Sequence, residues 1–130
     1  MKMPFGNNLS RVLLAMFFIV AGVNHFISPA SYVQIMPPLP RPEALVYVSG
    51  AAEIAGGVGI LLVRTRKLAT LGLIALLLAV LPANIYGAVH GMEISGRQIP
   101  AWILWLRLPV QPLLIWWVYN ACWKPRELPR

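Results

Sequence analysis

Five polar side chains interrupt the apolar stretches of this 130-residue chain: His25, Glu53, Asn84, Arg107 and Gln111. An imidazole and a carboxyl group can exchange a proton. A guanidinium can hold an anionic or carbonyl oxygen, and carboxamides can orient any of these through hydrogen bonds. His25, Glu53 and Arg107 are therefore the candidates for catalysis, and all five are candidates for ligand binding. Such groups are costly in an apolar medium unless each finds a partner, so their placement decides what they can do.

The segments that carry them cover about 9–27, 44–63, 68–90 and 101–122. Each approaches or exceeds the ~20 residues that cross a ~30 Å hydrocarbon layer at 1.5 Å per residue. Hydrophobic residues make up 58% of the chain and charged residues 12%, with a mean hydropathy of +0.69; soluble domains carry charge at about a quarter of their positions. The composition predicts an all-α fold, an integral membrane four-helix bundle forming a single domain over 1–130, with almost no residues left for a soluble domain.

The net charge of +7 has a topological pattern. Lys2 and Arg11 precede or open the first helix, Arg64, Arg66 and Lys67 form the second loop, and Lys124, Arg126 and Arg130 lie in the tail. The other two loops hold Arg41 and Arg97, each accompanied by a glutamate, Glu43 and Glu93. The positive-inside rule puts both termini in the cytoplasm, as an even helix count requires. The basic balance thus reads as topology and attraction to anionic membrane lipid, and nucleic acid is not an expected partner. Trp102 and Trp105 near one end of the fourth helix, and Trp116, Trp117 and Trp123 near the other, fit interfacial belts. An alternative makes residues 1–30 a signal peptide cleaved near Ser28-Pro29-Ala30, although Asn24, His25 and Phe26 interrupt the approach to that site.

Counted from the outer helix ends at 1.5 Å per residue, His25 lies ~4 Å deep, Asn84 ~9 Å, Arg107 ~10 Å, Glu53 ~14 Å and Gln111 ~16 Å. All five fall in the outer half, which predicts one shared polar cluster. Arg11, Ala15, Phe18, Gly22 and His25 form a single helical stripe. Glu53 is surrounded at helical spacing by Ser49, Gly50, Gly56 and Gly57, small residues that let helices approach closely. Arg107 and Gln111 share a face. Pro109 and Pro112 free the carbonyls of Trp105 and Leu108 for other donors, including a guanidinium, and Pro82 frees that of Leu78.

Arg107 is the cation at a depth comparable with Glu53, and an ion pair between them is expected. That pair could be structural; alternatively His25 adds proton exchange near the surface while Arg107 binds an anionic or carbonyl group, in quinone, lipid or proton chemistry. His25, His90 and Glu53 could together offer two nitrogens and an oxygen to a metal, but Glu53 lies too deep and no metal is expected. The lone cysteine, Cys122, has no pairing partner in the chain and reads as packing, and Met16, Met36 and Met92 read as apolar filler. After the first helix, Tyr32, Val33, Ile35 and Met36 predict a short helix or turn capping the bundle beside His25. The following Met36 to Pro42 predicts a stiff extended segment, and GMEISGRQIP a simple turn.

The chain resembles the DoxX-like family of small bacterial membrane proteins. The likeness rests on GVNHF closing the first helix, Pro29 to Tyr32, the MPP segment, GAAEIAGGVGILL and PANIY, and it covers about residues 11–87. The resemblance implies a four-helix bundle in the bacterial inner membrane. It places the family's polar positions at Arg11, His25 and Glu53, and it implies an association with membrane redox or stress-response systems. The expected function is a small subunit or accessory factor of such a system, contacting quinone through the polar cluster. A stand-alone lipid- or quinone-modifying enzyme using His25 and Glu53 as acid and base is one alternative, and a non-catalytic assembly chaperone or scaffold another. Membrane lipid, a partner membrane or redox protein and a second copy of the chain are the expected partners. The single cysteine departs from relatives that use cysteine pairs.

Overall fold

A computed structural model describes residues 7–34, 40–94 and 96–123. The elements are α1 (Asn7–Ile27), α2 (Pro29–Val33), α3 (Pro42–Leu61), α4 (Arg66–His90), β1 (Glu93–Ile94), β2 (Arg97–Gln98) and α5 (Ala101–Val118). A π-helical turn, Tyr119–Trp123, prolongs α5. The fold is all-α apart from the small hairpin, and α1, α3, α4 and α5 with its π turn are each long and apolar enough to cross a membrane.

The long helices pack in chain order, α1 on α3, α3 on α4 and α4 on α5. The ring closes at one end only, where the π turn packs back onto α1 and α4. Arg11 fastens that closure by donating from Nε to the Ala121 carbonyl oxygen at 2.8 Å. Here lies the larger core cluster, in which Leu14, Phe18, Ile60, Leu73 and Val118 are fully buried or nearly so. A second, smaller cluster of Ala88, Met92 and Leu104 sits at the opposite end, between α4 and α5. Cys122 belongs to the larger cluster and is a free, buried thiol.

Many large apolar side chains lie on the surface. Val63, Leu68, Ile27 and Trp102 are each more than two-thirds exposed. A water-soluble bundle of this size would turn such side chains inward, because each buried one contributes roughly 1.5–3 kcal/mol.

At the end away from the π turn, α2 and the hairpin form a cap. The antiparallel strands pair Glu93 with Gln98 and Ile94 with Arg97, so the segment read as a simple turn is a short hairpin. The side-chain amide of Gln34, just past α2, donates to the Glu93 carbonyl oxygen at 2.8 Å and accepts from the Glu93 amide at 2.9 Å. The stiff segment expected over Met36 to Pro42 lies mostly outside the described residues. Its described end departs from the extended form: Arg41 is left-handed at φ 54°, ψ 57°, and Pro42 opens α3. A proline at a first helical position loses no hydrogen bond, which makes Pro42 a helix start rather than the end of a strut.

Candidate functional site

Helices α1 and α3 come together where glycine faces glycine. A Cβ on Gly22 would stand 2.6 Å from the Gly50 carbonyl oxygen, and one on Gly50 would stand 2.7 Å from His25 Cβ. Both distances are shorter than real side chains tolerate, so hydrogen is the only substituent that allows this approach. One helical turn beyond each glycine stand His25 and Glu53. The glycine contact therefore delivers the imidazole to the carboxyl group: Nδ1 is 3.2 Å from Glu53 Oε2, and the two side chains are 11% and 13% exposed.

The geometry of that contact is specific. His25 Nδ1 also lies 2.7 Å from the Ala21 carbonyl oxygen, one turn back along α1. A proton on Nδ1 points at that carbonyl, and Glu53 Oε2, although close, has no hydrogen-bond donor. The other ring nitrogen, Nε2, has no partner among the described residues. Tyr32 of α2 lies flat on the imidazole, with ring centres 3.9 Å and planes 15° apart. Its hydroxyl accepts a hydrogen bond from Asn24 Nδ2 at 2.6 Å, which fixes the tyrosine over the histidine.

The second half of the site comes from α4 and α5. Arg107 donates from one terminal nitrogen to Asn84 Oδ1 at 3.1 Å and from the other to Met92 Sδ at 3.7 Å. The expected Glu53–Arg107 ion pair is not formed, and among the described residues no carboxylate lies within pairing distance of Arg107. The reason is positional. Glu53 is drawn to His25 by the α1–α3 glycine contact, while Arg107 is held by side chains on and after α4. Met92, expected to be filler, is thus a buried acceptor for the guanidinium.

Gln111, 5% exposed, donates from Nε2 to the Leu77 carbonyl oxygen at 2.8 Å, and its Oε1 has no partner. Pro82 lies within α4, and the carbonyl engaged is Leu77, the neighbour of the Leu78 oxygen that Pro82 deprives of its amide. Arg107 uses the Asn84 side chain rather than a proline-freed carbonyl of its own helix.

These halves face one another across a cavity of about 430 Å³. His25, Glu53, Asn84, Arg107 and Gln111 all line it, together with Tyr32 and Ser49, and the rest of the wall is aliphatic or phenylalanine. An apolar chamber with a few converging polar groups is the usual form of a small-molecule site. Its inventory is unbalanced in a useful way. Glu53 Oε2 and Gln111 Oε1 are buried acceptors without donors, the Arg107 guanidinium has donor capacity to spare, and His25 Nε2, with the ring proton on Nδ1, is an acceptor without a partner among the described residues.

Other candidates lie elsewhere. His90 is exposed, stacked on Tyr86 with Nδ1 3.0 Å from the Tyr86 carbonyl oxygen, and does not line the cavity. Among the described residues no three His, Cys, Asp or Glu side chains gather as a metal would require. Arg11 shares the inward stripe of α1 but sits at the π-turn end, away from the cavity. Tyr32 and Ser49 were visible in the sequence as cap and helix-packing residues; nothing local marked them as cavity lining.

No curated protein and no solved structure is detectably similar to the chain. A family model described as Domain of unknown function (DUF8561) matches residues 14–122, a span that includes every residue lining the cavity. The chain belongs to the DUF8561 family.

Proposed function

We propose that this is a small multi-pass protein of the bacterial inner membrane that binds the oxygen-bearing head of a quinone in its bundle cavity. It serves there as a subunit or accessory factor of a membrane redox or stress-response system, in the manner the DoxX-like resemblance suggests. The apolar exterior and the four long helices support insertion. The basic loop Arg64, Arg66 and Lys67, set against mixed charge at the hairpin end, supports an orientation with both termini cytoplasmic and the cavity toward the outer face.

The observation that carries the reading is the convergence of Glu53, His25, Arg107 and Gln111 on one apolar-walled cavity while key polar atoms stay unpaired. A quinone ring presents oxygens at opposite edges. As carbonyls they accept from the guanidinium; as hydroxyls they donate to His25 Nε2 and to the Glu53 carboxyl group. Both redox forms thus find partners.

The test is binding of a short-tailed benzoquinone to the protein in lipid nanodiscs. Glu53→Gln and Arg107→Gln should each weaken it about tenfold or more; unchanged affinity in both variants would remove the polar cluster from the site. The His25–Glu53 contact favours a second reading as a stand-alone enzyme. In it, His25 Nε2 takes a proton from a bound hydroxyl and the carboxylate stabilises the imidazolium. Turnover by the purified protein alone would select that reading.

A further inference from the structure

The cavity wall has a gap in it. α1 packs on α3 and α5 packs on α4, but α1 and α5 make no extensive contact with each other until the π turn. Several large apolar side chains that line the cavity are also on the outer surface of the bundle, and all but Leu45, 38% exposed near the start of α3, lie on those two helices: Phe17 is 49% exposed on α1, and Leu106 and Val110 are 54% and 41% exposed on α5. A residue can face both the chamber and the exterior only where the chamber reaches the exterior. We infer that the seam between α1 and α5 is a lateral portal, through which a membrane-dissolved ligand enters head first and leaves its apolar tail in the bilayer.

Depth decides what lies outside the seam. Counted at 1.5 Å per residue from the hairpin-end termini of α1 and α5, Leu106, Val110 and Phe17 lie ~8 to ~15 Å along the helices. That is within the hydrocarbon of one leaflet, whose half-thickness is ~15 Å. The seam therefore opens onto acyl chains. Its exposed lining is apolar, so the seam holds a tail and not a second polar group. The cap formed by α2 and the hairpin lies at the helix ends, with Tyr32 over His25, and this leaves the side as the open route. The occupant is a single-tailed amphiphile, with the head among Arg107, Glu53 and His25 and the tail between Phe17 and Val110. This inference rests on the reading of the cavity as a headgroup site.

Leu106→Trp combined with Val110→Trp fills the seam from positions already on the surface, and Leu113→Trp, on the same helix at 64% exposure and outside the cavity lining, is the control. Two probes separate head from tail in nanodiscs: a decyl-tailed benzoquinone and stearate carrying a nitroxide near the carboxyl end. The double variant should lose decyl-benzoquinone affinity by about tenfold or more beyond whatever it loses for a tail-less benzoquinone. It should also lose at least about half of the motionally restricted nitroxide signal that the wild type and Leu113→Trp retain. Equal loss of tailed and tail-less ligand, or an unchanged nitroxide signal, overturns the portal. A wild type that restrains stearate but binds no benzoquinone removes the quinone head and leaves the portal standing. A wild type that restrains neither removes both.

Discussion

Glu53 and Arg107 look into the same cavity without pairing: the carboxyl group lies 3.2 Å from His25 Nδ1, and the guanidinium donates to Asn84 Oδ1 at 3.1 Å. A carboxyl group and a cation, both partly buried and held apart by different helix pairs, leave room between them for a polar head. Had they met, each would have satisfied the other and the chamber would have had little left to offer a ligand.

Gly50 sets this arrangement, so its substitution should be felt directly. Gly50→Ala puts a methyl 2.7 Å from His25 Cβ and 2.9 Å from the Gly22 carbonyl oxygen; the cost should be about 1–3 kcal/mol, with weakened ligand binding. Gly72 is a helical glycine with open space around its Cβ position, and Gly72→Ala should instead raise stability by up to about 1 kcal/mol. Thermal unfolding in detergent distinguishes the two.

Glu53→Gln keeps the shape of the side chain beside His25 and should leave the unfolding temperature within about 3 °C of wild type, a shift worth under ~1 kcal/mol. Ligand affinity should fall about tenfold or more. A large loss of stability without a selective loss of binding would make the carboxyl group a structural element.

Arg107 and Asn84 act together. In a double-mutant cycle with Arg107→Met and Asn84→Ala, ligand binding should show a coupling of about 1–2 kcal/mol, because Asn84 orients the guanidinium through a direct hydrogen bond. Additive effects would mean that the two residues serve the cavity independently.

Tyr32 contributes a ring and a hydroxyl separately. Tyr32→Phe removes the acceptor of the Asn24 hydrogen bond but keeps the stack on His25, and binding should change by no more than about threefold. Tyr32→Ala removes the ring contact, worth about 0.5–1.5 kcal/mol, and should loosen the imidazole, visible as a broadened His25 ring resonance.

The parts of the fold visible in the sequence were those with a simple physical signal. Helix length and hydropathy marked α1, α3, α4 and α5, and the amphipathic residues from Tyr32 onward marked a cap beside His25, where α2 ends at Val33. The spacing of Gly22 to His25 and of Gly50 to Glu53 placed each polar residue beside a small one. Depth counting placed all five polar candidates in one half of the bundle, and all five line the same cavity. The pairing within that group was not legible. Sequence matches Glu53 with Arg107 by charge and depth, but which helices touch decides who meets whom, and the α1–α3 glycine contact takes Glu53 to His25 first. Likewise Met92 gave no sign of a role, because a thioether becomes an acceptor only when a guanidinium is aimed at it. The gap between α1 and α5 is a property of packing, absent from any single helix.

The most direct test of the headgroup site is native mass spectrometry of the full chain, extracted from bacterial membranes within a polymer-bounded lipid disc. The wild-type protein should release a quinone-mass adduct at near one copy per chain, and Glu53→Gln and Arg107→Gln proteins of unchanged fold should release it at a tenth or less. Bulk phospholipid alone, carried equally by the wild type and both variants, would contradict the account.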